Sequence, residues 1–201
     1  MRILPAGPRA LLAEVGSVAE AAALYAAARA ADLGVIDLVP AARTVLFDGV
    51  PDVESLRSWL GSVEVAAAGP ERAGPPVELP TTYDGADLDD VARLWGMTRA
   101  EAVATHTGTD FVVAFCGFSP GFAYCTGLPE ELAVPRLDTP RSRVPAGSVA
   151  LAGEFTGVYP RSSPGGWRLL GRTGTSLWDP EASQPALLSP GTRVRFVDAG
   201  E

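Results

Sequence analysis

The sequence contains no lysine: all 16 of its basic residues are arginine. A phosphate-cradling P-loop needs its lysine, and Schiff-base or pyridoxal-phosphate chemistry needs an amine, so none of these can be built from this chain. Cysteine is equally scarce. Cys116 and Cys125 are the only two, too few for a disulfide framework and without CxxC spacing, which fits ordinary thiols in a reducing compartment. His106 is the single histidine, and no metal-ligand spacing surrounds it. A basic excess is missing too. With a net charge of -8, the chain lacks the cationic stripe that nucleic acid or an anionic membrane surface would require. Long apolar runs are absent, and Pro5, Gly7, Pro8 and Arg9 break up the N-terminal stretch, so neither a membrane span nor a secretory leader is expected. The expected location is the cytoplasm.

What is present is an ordinary globular composition, 47% hydrophobic and 20% charged over 201 residues, enough for one large or two small domains. The apolar run Arg9–Val15 has strand length. Ser17 with Glu20 makes a capping box on an alanine-rich helix that stops at Gly34. VIDLVP and RTVLFDG read as strands, Pro51–Trp59 as a second helix, and SVEVAAA (62–68) as a further strand. The predicted order is βαββαβ, a small ferredoxin-like α/β domain over residues 1–72. Ala68–Pro76 has the proline and glycine density of a linker. Beyond it, residues 77–201 open with a strand and two helices, the second capped by Thr98 with Glu101. From Asp110 onward short apolar runs alternate with glycine and proline, predicting a β-barrel or sandwich with long loops. The fold class is therefore α+β.

Three loops hold the candidate site. In FCGFSPGFAYCTGLP (115–129), Gly117, Phe118, Pro120, Gly121 and Phe122 form an uncharged scaffold, in which glycine permits positive φ while proline locks its own φ at a negative value. Its aromatics form either a core plug or a binding wall. PRLDTPRSRVPAGSVA (135–150) displays Arg136, Arg141 and Arg143 among prolines, guanidinium forks suited to carboxylate or phosphate. In TGVYPRSSPGGWRLLGRT (156–173), Tyr159 and Trp167 flank Arg161, Ser162 and Ser163, and a Gly165–Gly166 pair allows close backbone approach. Arg136, Arg141, Tyr159, Ser163 and Trp167 are the expected substrate-binding residues. His106 is the expected general acid or base, because its side chain alone has an ordinary pKa near neutrality.

These three runs in this order, together with YDGADLDDVA, THTGTDFVVAFCGF and LLSPGTRVRFV, resemble the KipI/PxpB family of allophanate hydrolase subunit 1-like proteins. The resemblance implies that the barrel is cyclophilin-like. It also implies the B subunit of an ATP-dependent 5-oxoprolinase, which with a homologous C subunit and a third, A subunit opens 5-oxo-L-proline to L-glutamate. ATP, with Mg, would be the cofactor, held largely by partners since this chain has no P-loop. Alternatives within the same resemblance are a KipI-like inhibitor of a sensor histidine kinase and a part of a urea-carboxylase-type carboxyltransferase or allophanate hydrolase system.

Overall fold

A computed structural model describes residues 1–65 and 73–200, Ala73 through its backbone only. The chain divides into two compact units, Met1–Glu71 and Arg72–Glu201.

In the first unit, β1 (Arg2–Gly7), β2 (Ala10–Glu14), α1 (Val18–Ala30), β3 (Asp37–Pro40), β4 (Thr44–Asp48) and α2 (Val53–Ser62) follow one another. The sheet order is β1-β2-β4-β3, antiparallel throughout. Alternation drives it: Leu11, Ala13, Val45 and Phe47 point to one face and bury against Leu24, Leu56 and Leu60 of the helices. Ser17 caps α1 by accepting from the Glu20 amide at 3.1 Å. The β2–α1–β3 unit with β4 inserted between its strands is the split arrangement expected of a ferredoxin-like half. The strand predicted over Ser62–Ala68 does not form where it is described: Ser62 ends α2, Val63–Val65 are not strand, and the rest lies outside the described residues. Its place beside β2 is taken by β1, a strand hidden from pattern reading by Pro5 and by the mostly exposed positions around it.

The second unit runs β5 (Ala73–Thr81), α3 (Leu88–Trp95), α4 (Arg99–Gly108), β6 (Phe111–Cys116), β7 (Ala123–Thr126), β8 (Arg141–Val144), β9 (Ser148–Ala152), β10 (Phe155–Val158), β11 (Ser163–Gly165), β12 (Arg168–Arg172) and β13 (Thr192–Asp198). Most of the linker reading at Ala68–Pro76 lies outside the described residues, but Ala73–Pro76 belong to β5. Its prolines are tolerated because β5 is the terminal strand of the sheet, paired with β13 alone along this stretch.

Seven strands hydrogen-bond in the order β12-β9-β10-β7-β6-β13-β5. The ring closes just past β5, where Thr82 and Arg172 exchange both backbone hydrogen bonds at 2.9 Å. Two further bonds extend the seam, Gly85 N–H to Leu170 O and Asp87 N–H to Leu169 O, both at 3.0 Å. Backbones approach closely here: a Cβ on Gly171 would run into the Thr82 carbonyl oxygen. Inside the barrel Leu79, Phe111, Val113, Cys125, Val149, Val158, Val194 and Phe196 pack together. Leu88, Val91 and Ala102 of α3 and α4 cover Leu151 and Leu170. β9 is buried along its whole length because its two faces serve different clusters, which is why it reads as a continuous apolar run.

α4 carries His106 into this interior. The capping box of Thr98 and Glu101 fixes the start of the helix, and the imidazole, fully buried, packs against Phe196 and Phe111 at ring separations of 4.5 and 5.0 Å. Thr156 Oγ1 donates to Ala150 O at 3.2 Å, so it accepts from His106 Nε2 at 3.0 Å, leaving Nδ1 to accept from the Tyr83 hydroxyl at 2.7 Å. Both ring nitrogens are satisfied in the neutral form. Burial lowers the histidine pKa to about 3.

Two outcomes are expected. Gly171→Ala should destabilise the seam by roughly 1–3 kcal/mol, read as a lowered melting temperature. Gly174→Ala, where a Cβ meets nothing within 4 Å, should melt like the parent; equal melting of all three would contradict a closed seam. For His106, the unfolded chain takes up a proton near pH 6.5 while the folded chain does not until about pH 3. Stability is therefore full above pH 6.5 and falls as pH drops below it, by up to about 1.4 kcal/mol per pH unit. Urea unfolding between pH 7 and pH 5 should show this slope, and His106→Gln should abolish it; a slope that survives the substitution would contradict a neutral buried imidazole.

Candidate functional site

The first cleft segment turns sharply after β6. Phe122 N–H donates to Ser119 O at 3.0 Å, closing a Ser-Pro-Gly-Phe turn with Pro120 second and Gly121, at φ +83°, third, the arrangement of a type II turn. A Cβ on Gly121 would also press on Trp178 Cβ at 2.9 Å. Phe118 sits just before the turn at φ +65°, a conformation that costs a non-glycine residue of order 1 kcal/mol or more. The residue is 60% exposed.

The second and third segments, read from sequence as loops, contain the ribbon β8–β11. Val144 pairs with Ser163 and Arg141 with Gly165, and Leu137 N–H donates to Gly166 O at 2.8 Å. The first segment likewise hides β7, whose Ala123 and Cys125 face the barrel interior while Tyr124 faces out. These strands were illegible because each is four residues or fewer, below the length at which alternation can be counted.

On the outward face an aromatic cluster joins the first and third segments. Phe122, 2% exposed, makes edge contacts with Tyr124, Trp167, Tyr159 and Phe118 at 5.0, 5.3, 5.4 and 5.4 Å. Gly157 makes room for it, since a Cβ there would stand 2.8 Å from Ala123 O and 3.3 Å from both Phe122 and Trp167. The aromatics of the first segment are thus plug and wall at once. Above them lies a cleft of about 100 Å³ lined by Phe118, Phe122, Tyr124, Arg136, Tyr159, Pro164, Gly165, Gly166 and Trp167.

The expected site residues distribute as follows. Arg136, Tyr159 and Trp167 line the cleft together with Phe118 and Phe122. Gly117, Pro120 and Gly121 shape the turn behind it. Trp167 is 5% exposed and serves as packing as well as wall, so its truncation would cost stability too. Arg141 and Ser163 stand in the ribbon beside Gly165 and Pro164 rather than in the lining itself. Arg143 is turned elsewhere, donating from Nε to Ser162 Oγ at 3.2 Å. His106 is not in the cleft: enclosed in the barrel with both nitrogens satisfied, it has neither access to a ligand there nor a proton to exchange near neutrality, and the general acid-base role expected of it is withdrawn.

The Tyr159 hydroxyl rests where a Cβ of Gly165 would be. Burial raises its pKa, opposed by a hydrogen bond from the Trp167 amide and by the charges of Arg136 and Arg141; burial likewise raises that of Tyr124, opposed by Arg136. Both phenols are neutral at neutral pH, able to donate to a ligand oxygen. Cys116 stands outside the lining, its thiol pushed up to about 11 by burial. The lining contains no carboxylate, histidine or thiol, so the cleft can bind and orient an anionic, partly apolar molecule but offers no base or nucleophile. Among the described residues no three His, Cys, Asp or Glu side chains gather so as to hold a metal ion, and no helix is long and apolar enough to cross a membrane.

Comparison with known proteins agrees with this architecture. The family described as carboxyltransferase domain, subdomain C and D, matches residues 1–188. A protein of Escherichia coli O157:H7 named as the B subunit of 5-oxoprolinase is 45% identical over 74% of this chain and 68% of its own length. One of Bacillus subtilis with the same name is 43% identical over 62% of this chain and 53% of its own. Among solved structures, TTHA0988 superposes with a TM-score of 0.78 at 35% identity, covering 95% of this chain. The chain spans only 40% of that longer protein. Kluyveromyces lactis urea amidolyase shares the fold at a TM-score of 0.69 and 20% identity, over 98% of this chain and 14% of that one. With a family match over most of its length and relatives of one name at this identity, the chain belongs to the KipI/PxpB family of carboxyltransferase-type proteins.

Proposed function

We propose that the chain is the B subunit of a cytoplasmic, ATP-dependent 5-oxoprolinase, and that its three-segment cleft binds 5-oxo-L-proline. The relatives named as 5-oxoprolinase B subunits give the reaction class. The observation that carries the assignment to the cleft is its chemistry: one exposed guanidinium and a neutral phenol set against aromatic faces, in a volume of about 100 Å³, suit a small ring bearing one carboxylate and one amide carbonyl. A nucleotide does not suit it, since pockets for larger ligands run to about 300–1,000 Å³. ATP then belongs to a site other than this cleft, and the absence of a base from the lining is in keeping with a protein that binds substrate while its partners supply the water-activating group. Opening the ring adds water across the C–N bond and releases L-glutamate, and this chain's part is to hold the carboxylate and orient the carbonyl. Arg136 supplies the charge, Tyr159 a hydrogen bond, and Phe118 and Trp167 the ring contacts.

The test is reconstitution. This chain mixed with its A and C partners should release glutamate and ADP from 5-oxoproline, and the chain alone should release neither; turnover at the same rate with this chain omitted would refute the assignment. In the assembled enzyme Arg136→Gln should raise KM for 5-oxoproline tenfold or more without lowering the melting temperature, because the side chain is exposed. An unchanged KM would remove Arg136 from the site.

A further inference from the structure

Tyr124 stands on β7 opposite Phe115. Four aromatic neighbours hold its ring: Phe115 stacks on it at 4.3 Å, and Phe122, Trp167 and Phe155 meet it edge-on at 5.0, 5.5 and 5.7 Å. A ring packed both on its face and at its edges has little room to swing. Phenylalanine would make the same contacts, so packing accounts for the ring and leaves the hydroxyl unexplained. Tyr124 is only part-buried and lines the cleft. Among the described residues no hydrogen bond acts on its phenol, whereas the Trp167 amide reaches that of Tyr159.

The cleft brings this hydroxyl together with two other donors. Tyr159 and Arg136 line the same space, and Tyr159 packs on the same Phe122 and Trp167 rings. At about 100 Å³ the cleft offers the room of about three water molecules, so a small ring filling it meets all its walls. The charge of Arg136 reaches both phenols, and the Tyr124 phenol bears on that of Tyr159. Burial keeps both phenols protonated at neutral pH, so each presents an O–H. The donor set is therefore of two kinds, one permanent cation and two neutral hydroxyls.

We infer that Tyr124 is a second substrate-binding phenol, which joins Tyr159 in donating to the lactam carbonyl oxygen while Arg136 takes the carboxylate. This rests on the cleft being the 5-oxoproline site and assigns the two ends of the ligand. A guanidinium gains most from an anionic oxygen, where the bond is charge-assisted, and the neutral donors are left for the neutral acceptor. A carbonyl oxygen has two lone pairs and accepts from both phenols at once. Selectivity follows: a ring acid that lacks the carbonyl leaves both hydroxyls without an acceptor, which is how a hydrogen-bonding site rejects an analogue.

Titration calorimetry of the full chain, by itself and assembled with its partners, tests this with 5-oxo-L-proline and tetrahydro-2-furoate, a ring acid of the same size that has the carboxylate and no carbonyl. Tyr124→Phe should weaken 5-oxoproline binding about fivefold and leave tetrahydro-2-furoate binding unchanged. It should melt like the parent, since it keeps the ring and deletes a hydroxyl without a protein partner. Arg136→Gln should weaken both acids alike. Should the furoate bind too weakly to titrate, the assembled enzyme decides: Tyr124→Phe must lower kcat/KM for 5-oxoproline by about fivefold or more at an unchanged melting temperature. Equal loss for both acids in Tyr124→Phe, or no loss for 5-oxoproline, would overturn the inference while leaving the cleft as the 5-oxoproline site. A parent protein that binds no 5-oxoproline, by itself or assembled, would overturn both.

Discussion

The cleft depends on the burial of Phe122. This ring sits on the outward face of the barrel sheet and meets aromatic partners from two of the cleft segments, so the positions of Tyr159 and Trp167 are set by packing against a side chain from the first. Rings that pack edge to face tolerate little displacement without losing contact. Gly157 and Gly165 allow the approach, one admitting Phe122 and Trp167 and the other the Tyr159 hydroxyl. The site is consequently a property of the sheet's outer face, while the barrel interior is filled with apolar side chains and one neutral imidazole.

That division explains what was legible in the sequence. The barrel strands β6, β9 and β13 announce themselves as apolar runs, and the Thr98–Glu101 capping box marks α4 directly. The convergence of the three segments could be suspected from the glycines, prolines and aromatics of the first and third and from the proline-flanked arginines of the second, because stiff segments hold displayed groups in place. Illegible were the features that depend on partners distant in sequence. β8 and β11 are short and pair across about twenty residues, and β1 is recognisable only once β2 is there to pair with it. His106 looked chemical because it is the sole histidine, yet its role is decided by Tyr83, Thr156, Phe111 and Phe196, none of them near it in the helix. Asp87 carried no motif. Its importance appears only when Arg141 and the Leu169 amide are seen on its two oxygens.

Apart from Asp32, at φ +45° in the first unit, local strain among the described residues gathers at the cleft segments. Phe118 holds a left-handed backbone while largely exposed, and three buried donors lack acceptors. Elsewhere, turns that need positive φ mostly use glycine and the imidazole is fully satisfied. Concentrated local disagreement of this kind, in a fold otherwise consistent from propensity to packing, is the physical mark of a binding site. The same site offers ring faces and hydrogen-bond donors, and its lining holds no carboxylate, histidine or thiol.

The central claim is that the three segments share one ligand. Backbone amide shifts recorded by NMR during titration with 5-oxo-L-proline test it most directly. The account predicts saturable changes in the 117–124, 135–141 and 159–167 segments together, with a single affinity. Changes confined to residues 1–65, or to the α4 face around Arg99 and Thr107 with the three segments silent, would contradict it.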